Sequence, residues 1–523
     1  MTRTLKNAGP NNTPLIYTDS GSKGSGCYFI VSRILRLSRR TLTPVVAAVF
    51  ATLFTGCTLA PEYHRPVAPV PAAWPVKTRT DVSETSVTAI TWQTLFADPK
   101  LRQVVKLALD NNRDLRIAIL NIEKAQAQYQ IQRAALVPQV GLTGAEQAQR
   151  TPASVSYTGI GGVTRGYSLN VGISAYELDL FGRIRSLKEE AQQAYLSTAW
   201  SRQTTQISLI AEVAGSYLSL AADQDLQRLA RETLSSRQAA YDLQQSLTTV
   251  GKSSQLPLHQ AESELESARF QALLANKQVM SDKNSLALVV GTPLPASLLP
   301  STNSLDHVIS NKPLSAGLPS DLLQQRPDIV SAEHSLLAAN ADIGAARAAF
   351  FPSISLTTSA GRASNALGEL FDSGGRSWSF APQVNLPIFN GGRLMAQLET
   401  SKVERDIAVA EYEKTIQTAF REVSDALAER SVVDDETLAQ QKNVQAAQAA
   451  YDFVQIQYAN GATDYLNVLD TQRTLLSAQQ SLIQSRLSQQ NSFITLYKAL
   501  GGGWEQVATD GNTEPTQARL RQG

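Results

Sequence analysis

The sequence predicts an α+β membrane protein: long helices arranged as a helical barrel, joined to four β-strands that only several copies together can close into a transmembrane barrel. Three observations point there. The chain carries an internal two-fold repeat, long runs of helix-forming residues at coiled-coil-like spacing, and short runs between them that alternate apolar with polar side chains.

At the N-terminus, residues 33–40 (RILRLSRR) are basic and residues 41–56 (TLTPVVAAVFATLFTG) are apolar. A basic stretch followed by a short apolar one reads as a secretory signal, since a spanning helix needs about 20 apolar residues. The run ends in Leu53-Phe54-Thr55-Gly56-Cys57, which resembles a lipoprotein cleavage box. There Cys57 would be acylated and would become the mature N-terminus. Phe54 stands where such a box usually has leucine. About 30 polar residues before the basic region are unusual for such a signal. That length predicts a translation start nearer Arg33, which would leave Cys27 outside the protein.

The repeat governs everything downstream. Residues 134–143 (AALVPQVGLT) match residues 348–357 (AAFFPSISLT) at an offset of 214, with five of ten positions identical. Asn112-Arg113-Asp114-Leu115 meets Arg326-Pro327-Asp328-Ile329 at the same offset. Leu180-Phe181-Gly182-Arg183 is similar to Ile388-Phe389-Asn390-Gly391-Gly392-Arg393. Beyond it, Tyr241, Gly251, Leu256, Leu265, Ala268 and Gly291 meet Tyr451, Gly461, Leu466, Leu475, Ala478 and Gly501 at an offset of 210. The boundaries expected are a signal region 1–56, an anchored segment 57–98, repeats 99–310 and 311–505, and a flexible tail 506–523.

Within each repeat the long segments are rich in Ala, Leu, Gln, Glu, Lys and Arg, all good helix formers. Ala261, Leu265, Ala268, Ala272, Ala275 and Val279 advance by alternating fours and threes, a coiled-coil-like seam. Val468, Leu475, Leu482 and Leu496 keep a seven-residue spacing that Gln489 interrupts. From Gly182 to about Val250 a continuous helix would run about 100 Å, longer than a globular core needs.

Residues 167–174 and 380–388 alternate apolar and polar side chains, and residues 140–143 and 354–358 do so more weakly. That pattern is the signature of a membrane β-barrel strand. Pro138 and Pro352 stand where helix gives way to strand, as helix-breaking residues should. The Gly- and Ser-rich stretches 149–166 and 364–377 read as external loops. Gly182, Gly391 and Gly392 suit the bend from strand back to helix, and Arg183 and Arg393 behind them read as structural or interfacial.

Four strands cannot close a barrel, because single-chain barrels start at eight. Open edges in lipid leave backbone groups unpaired. Copies must therefore share one wall. Three give twelve strands; two give eight, with a lumen nearly filled by side chains.

These residues resemble the outer-membrane factor (TolC-like) family of efflux channels, and most closely its OprM-like lipoprotein branch. The resemblance is carried by residues 57–66 (CTLAPEYHRP), 178–183 (LDLFGR), 326–352 (RPDIVSAEHSLLAANADIGAARAAFFP), 412–423 (YEKTIQTAFREV), 468–476 (VLDTQRTLL) and 497–504 (YKALGGGW). It implies a homotrimer with a 12-stranded barrel in the outer membrane and a helical barrel in the periplasm. A mixed belt would form from residues 58–98, 292–318 and the tail. It also implies two partners, a periplasmic adaptor and an inner-membrane pump of the RND type, with the channel a passive duct for drugs and other small toxic compounds. Leu466, Asp470 and Arg473 match the family's periplasmic gate. Asn467 stands where some members carry a second acidic residue. Asp470 and Arg473 are three apart on one helix face.

The remaining composition excludes other classes. Lys and Arg number 47 against 46 Asp and Glu, a net charge of +1, so no electrostatic footprint for nucleic acid exists. His64, His259, His307 and His334 are scattered without metal-ligand spacing, and the glycine run 501–503 lacks the Lys-Ser/Thr of a phosphate loop. No metal, cofactor or catalysis is expected. Two rivals stay open: a duct for protein secretion or metal efflux, and a periplasmic coiled-coil scaffold without a pore.

Overall fold

The computed structural model describes residues 58–75, 91–157, 159–302, 304–309 and 326–502. The signal region, Cys57 and the tail 506–523 lie outside the described residues, as does part of the expected belt. In chain order the elements are α1 (Trp92–Leu95), α2 (Pro99–Asn111), α3 (Arg113–Ala134), β1 (Val140–Thr151), β2 (Gly162–Leu178), α4 (Arg183–Thr249) and α5 (Gln255–Val290). The second series is α6 (Pro327–Ala348), β3 (Ser353–Ser364), β4 (Arg376–Asn385), α7 (Arg393–Ala459) and α8 (Tyr465–Ala499). Helix, hairpin, long helix, helix therefore occurs twice in the same order.

Local chemistry sets the boundaries. Asp98 caps α2 by accepting from the Lys100 amide at 2.7 Å, with Pro99 opening the helix. Asn112 caps α3 through the Leu115 amide at 2.8 Å. The long helices α4 and α7 both contain 67 residues, about 100 Å at 1.5 Å per residue. Each ends at a glycine of positive φ, Gly251 at 73° and Gly461 at 72°, one of the repeat's matched pairs.

The helices pack side by side in the order α3, α4, α6, α7, while α5 lies against α4 and α8 against α7. The largest apolar core sits at mid-height. It gathers Leu101, Val104 and Val105 of α2 with Val213, Tyr217 and Leu220 of α4, Leu286 of α5, Tyr412 and Val423 of α7 and Tyr497 of α8. The segment between the repeats joins this region: Phe96 bridges to Ile309, and the Ala97 amide donates to the Val308 carbonyl at 2.9 Å.

The four strands form one antiparallel sheet in the order β1-β2-β3-β4. They are longer than the alternating stretches suggest, and the loops correspondingly shorter. Gln149↔Thr164 and Arg150↔Val163 pair within the expected first loop, because the backbone ladder continues past the apolar band. The connections shrink to residues 152–161 and 365–375. At the other end β4 stops at Asn385, not at residue 388, since Pro387 cannot donate to a ladder.

Candidate functional site

Register gives the sheet two chemically distinct faces. Leu142↔Val171, Val140↔Ile173, Ile354↔Val384, Thr358↔Phe380 and Ala360↔Trp378 share one face. The other carries Gly141↔Gly172, Thr143↔Asn170, Ser355↔Gln383 and Ser359↔Ser379. In β2 the alternation slips between Ile173 and Tyr176. A bulge there, with Ala175 at φ 51°, absorbs the extra residue, and Tyr176↔Leu356 and Leu178↔Ile354 return to the apolar face. Val140, Leu142, Val171, Trp378, Phe380 and Val384 stand exposed. One apolar and one polar face is what a wall between lipid and water requires. Among the described residues no helix is long and apolar enough to cross a membrane.

At the junction between sheet and helices, Pro138 lies between α3 and β1, and Pro352 immediately precedes β3. Gly182 adopts φ 78°, Gly391 63° and Gly392 84°, backbone that a side chain would strain. Arg183 grips Glu177 with two bonds of 2.9 and 2.6 Å across the β2–α4 turn. Asp179 accepts from the Ile184 and Arg185 amides and so starts α4. Arg393 is exposed, and its side chain donates to Gln397 of its own helix at 3.3 Å.

At the opposite ends of the long helices, Leu466, Asp470 and Arg473 follow one another by four and three residues along α8 and form one exposed stripe. Asp470 accepts from Arg473 at 2.9 Å, and both side chains are about two-thirds exposed. Asn467 turns away to Thr463 at 2.7 Å.

Behind that stripe lies a polar lock that sequence reasoning missed. Arg237 of α4 is buried, donates to Gln472 of α8 at 2.5 Å and pairs with Glu264 of α5 at 3.4 Å. Gln472 in turn donates to Ser236 at 3.1 Å. Nearby, Gln244 donates to the Tyr458 hydroxyl at 2.9 Å, and the Tyr458 and Tyr465 rings lie 5.6 Å apart. Arg237 sits in a helix full of charged residues, and nothing local distinguishes it. Only the meeting of three helices does.

The run that follows Cys57 also finds its structural account. Residues 58–66 lie along α6 and are held at three heights. Arg347 donates to the Leu59 carbonyl at 3.1 Å and Asn340 to the Pro61 carbonyl at 2.9 Å. Tyr63 donates to Glu333 at 3.0 Å, and Arg65 makes two bonds of 2.7 Å to it. Residues 333, 340 and 347 are seven apart and share a helix face.

Known proteins agree with this geometry. The model of the family described as outer membrane efflux protein matches residues 104–292 and again 318–502. The toluene efflux pump outer membrane protein TtgC of Pseudomonas putida is 48% identical over 470 residues, 89% of this chain and 97% of that one. Outer membrane protein OprJ of Pseudomonas aeruginosa is 39% identical over 471 residues, 90% and 97% of the two chains. Among solved structures, the open state of the Neisseria gonorrhoeae MtrE outer membrane channel superposes with a TM-score of 0.78. It shares 36% identity and covers 86% of this chain and 98% of its own. With two apolar–polar hairpins, two 67-residue helices and a likeness over 89% of its length to the Pseudomonas putida relative, the chain belongs to the outer membrane efflux protein family.

Proposed function

We propose that three copies of this outer-membrane efflux protein close into one channel, which serves as the exit duct of a tripartite pump for drugs and other small toxic compounds. The observation that carries it is the sheet. β1 and β4 are its edges, each hydrogen-bonded on one side only among the described residues, and an edge in lipid is untenable. Four strands from each of three chains make twelve, wide enough for a lumen behind the small polar face.

In this reading the apolar face meets lipid, the helices extend into the periplasm, and the tip carries the gate. Leu466 and the Asp470–Arg473 pair form its constriction when the copies converge. The pair is exposed, so each costs under about 1 kcal/mol to break, and an adaptor can open the tip without a large energy input. Acylated Cys57 tethers the chain to outer-membrane lipid. A periplasmic adaptor and an RND-type inner-membrane pump supply substrate and energy. The relatives' names support efflux: TtgC is named for toluene, and a second Pseudomonas putida relative, ArpC, for antibiotics.

Planar-bilayer recording tests the gate. Asp470→Ala combined with Arg473→Ala should raise single-channel conductance severalfold while leaving thermal stability nearly unchanged. Conductance equal to that of the parent chain would remove the gate from these residues.

A further inference from the structure

All four arginines of the sheet stand on one face, and it is the apolar one. Along β1 and β2, Leu142, Val171 and Leu169 share their face with Arg150 and Arg165. Along β3 and β4, Ile354, Phe380 and Trp378 share theirs with Arg362 and Arg376. The polar face at that end carries Gln147, Ser168, Gly361 and Ser377. A water-filled lumen accepts arginine more easily than a lipid wall does, so this choice of face needs a reason.

Position along the strands supplies part of it. Each arginine lies within three residues of a strand end, on the side of the hairpin connections and away from the helices. Tyr167 and Trp378 stand two residues further into the sheet on the same face. Aromatic residues at the rim of an apolar band mark the level of the lipid headgroups. The helices lie on the periplasmic side, so this rim belongs to the outer leaflet. Charge there costs little, because a long side chain turns its guanidinium out of the hydrocarbon.

The arginines are also short of acidic partners. Arg362 faces Arg376 directly across β3 and β4, and like charges so placed destabilise a sheet. Arg362 donates to the Asp372 backbone carbonyl at 2.7 Å, and Arg376 is exposed. Among the described residues neither of them, nor Arg150, pairs with a carboxylate, those of Glu369 and Asp372 in the nearby connection included. Arg165 has Glu146 at 3.8 Å. Four arginines against one glutamate on this face of the strands leave the rim positive.

We infer that the hairpin end of the apolar face binds phosphate-bearing lipid headgroups of the outer leaflet, with Arg362 and Arg376 at the centre of the site. This rests on the reading that the apolar face meets lipid. Guanidinium forks match pairs of phosphate oxygens. A phosphate seated between the two arginines turns their cross-strand repulsion into a bridge that ties β3 to β4. Trp378 and Phe380, further along β4 on the same face, are 81% and 61% exposed. An acyl chain covers such a surface and a free anion does not, which makes the occupant a lipid.

Native mass spectrometry of the detergent-solubilised protein, titrated with bisphosphorylated lipid A, tests the site. The parent chain should retain this lipid, and Arg362→Gln combined with Arg376→Gln should bind it at least about tenfold more weakly. Arg393→Gln, at the helix end of the sheet, should bind it as the parent does. Dephosphorylated lipid A, which keeps the acyl chains, should bind the parent at least about tenfold more weakly. Equal retention of both forms by the parent overturns the proposal without recourse to any variant, and so does undiminished binding by the double variant. Inorganic phosphate that displaces lipid A at equal concentration overturns the assignment to a lipid. Fluorescence quenching by brominated phosphatidylcholine separates the site from the reading beneath it, since Trp378→Phe should lose most of the parent's quenching. If both are quenched alike, the face does not meet lipid and the site falls with it. Quenching through Trp378 without any dependence of binding on phosphate removes the site alone.

Discussion

Single residues in this chain act mostly by holding helices against one another, and Arg237 is the clearest case. Its guanidinium is buried between α4, α5 and α8, with Gln472 and Glu264 as partners. Arg237→Ala leaves Glu264 without its cation and Gln472 without its donor, a loss of about 1–3 kcal/mol confined to the tip. Amide exchange in the first turns of α8 should quicken accordingly, while Arg237→Lys keeps part of the protection; unchanged exchange in the alanine variant would show that the lock bears no load. Two carboxyls further along the helices respond to pH. Burial, reinforced by a hydrogen bond and charge repulsion from Asp282, pushes Asp223 up to about 7. Burial beside Asp342 and Glu404 pushes Glu190 up to about 7 as well. Both groups hold a proton in the folded chain that the unfolded chain has released above its ordinary carboxylate range. Their contribution is thus present below about pH 4 and declines as pH rises towards 7. Asp223→Asn should flatten that decline, so its melting temperature should exceed the parent's most at neutral pH and least at about pH 4. Parallel melting curves across that range would contradict the assignment.

At the scale of elements, the sheet depends on close backbone approach where β2 crosses β3. A Cβ on Gly361 would run into the Leu169 carbonyl and the Asn170 side chain, and one on Gly172 into the Thr358 carbonyl and Ser359. Gly361→Val should therefore separate these strands and abolish heat-modifiable oligomers on denaturing gels. Gly368→Val, in the hairpin connection with open space around it, should leave them intact. The strand pattern was legible in the sequence only where lipid imposes it. Residues 149–151 and 162–166 pair along the backbone ladder, and its hydrogen bonds leave no mark on side-chain polarity. The bulge in β2 is a related case. Ile-Ser-Ala-Tyr breaks the alternation at residues 173–176, and only the pairing shows that the break returns the apolar residues to their face.

Over the whole molecule, the proposed anchoring and assembly rest on where the chain leaves surfaces unfinished. Residues 58–66 run beside α6 over the 14-residue step from Glu333 to Arg347, about 21 Å of helix. The pinned segment from Leu59 to Arg65 spans about the same length at roughly 3.3 Å per residue. That match sets Leu59 beside the last turn of α6, near the helix-to-strand junction. Acylation of Cys57, two residues earlier in the sequence, is part of the proposal and has a direct test. Cys57→Ser should abolish incorporation of radiolabelled palmitate, and label retained in that variant would remove the lipid tether.

The order of elements, the two long helices, the apolar centres of the strands and the family were determined by the sequence alone. Each rests on a periodicity or a repeated motif, and such patterns are local or are copied along the chain. The tertiary structure decided what brings distant residues together: the Arg237 lock across three helices, the Glu333 clamp on Tyr63 and Arg65, and the pairing register that sorts the sheet into two faces. It also decided which copies of the repeat meet inside the chain and which are left open. A repeat makes two halves chemically alike, but only their packing determines that α4 meets α6 within the chain while α3 and α7 stand at opposite ends of the helix order.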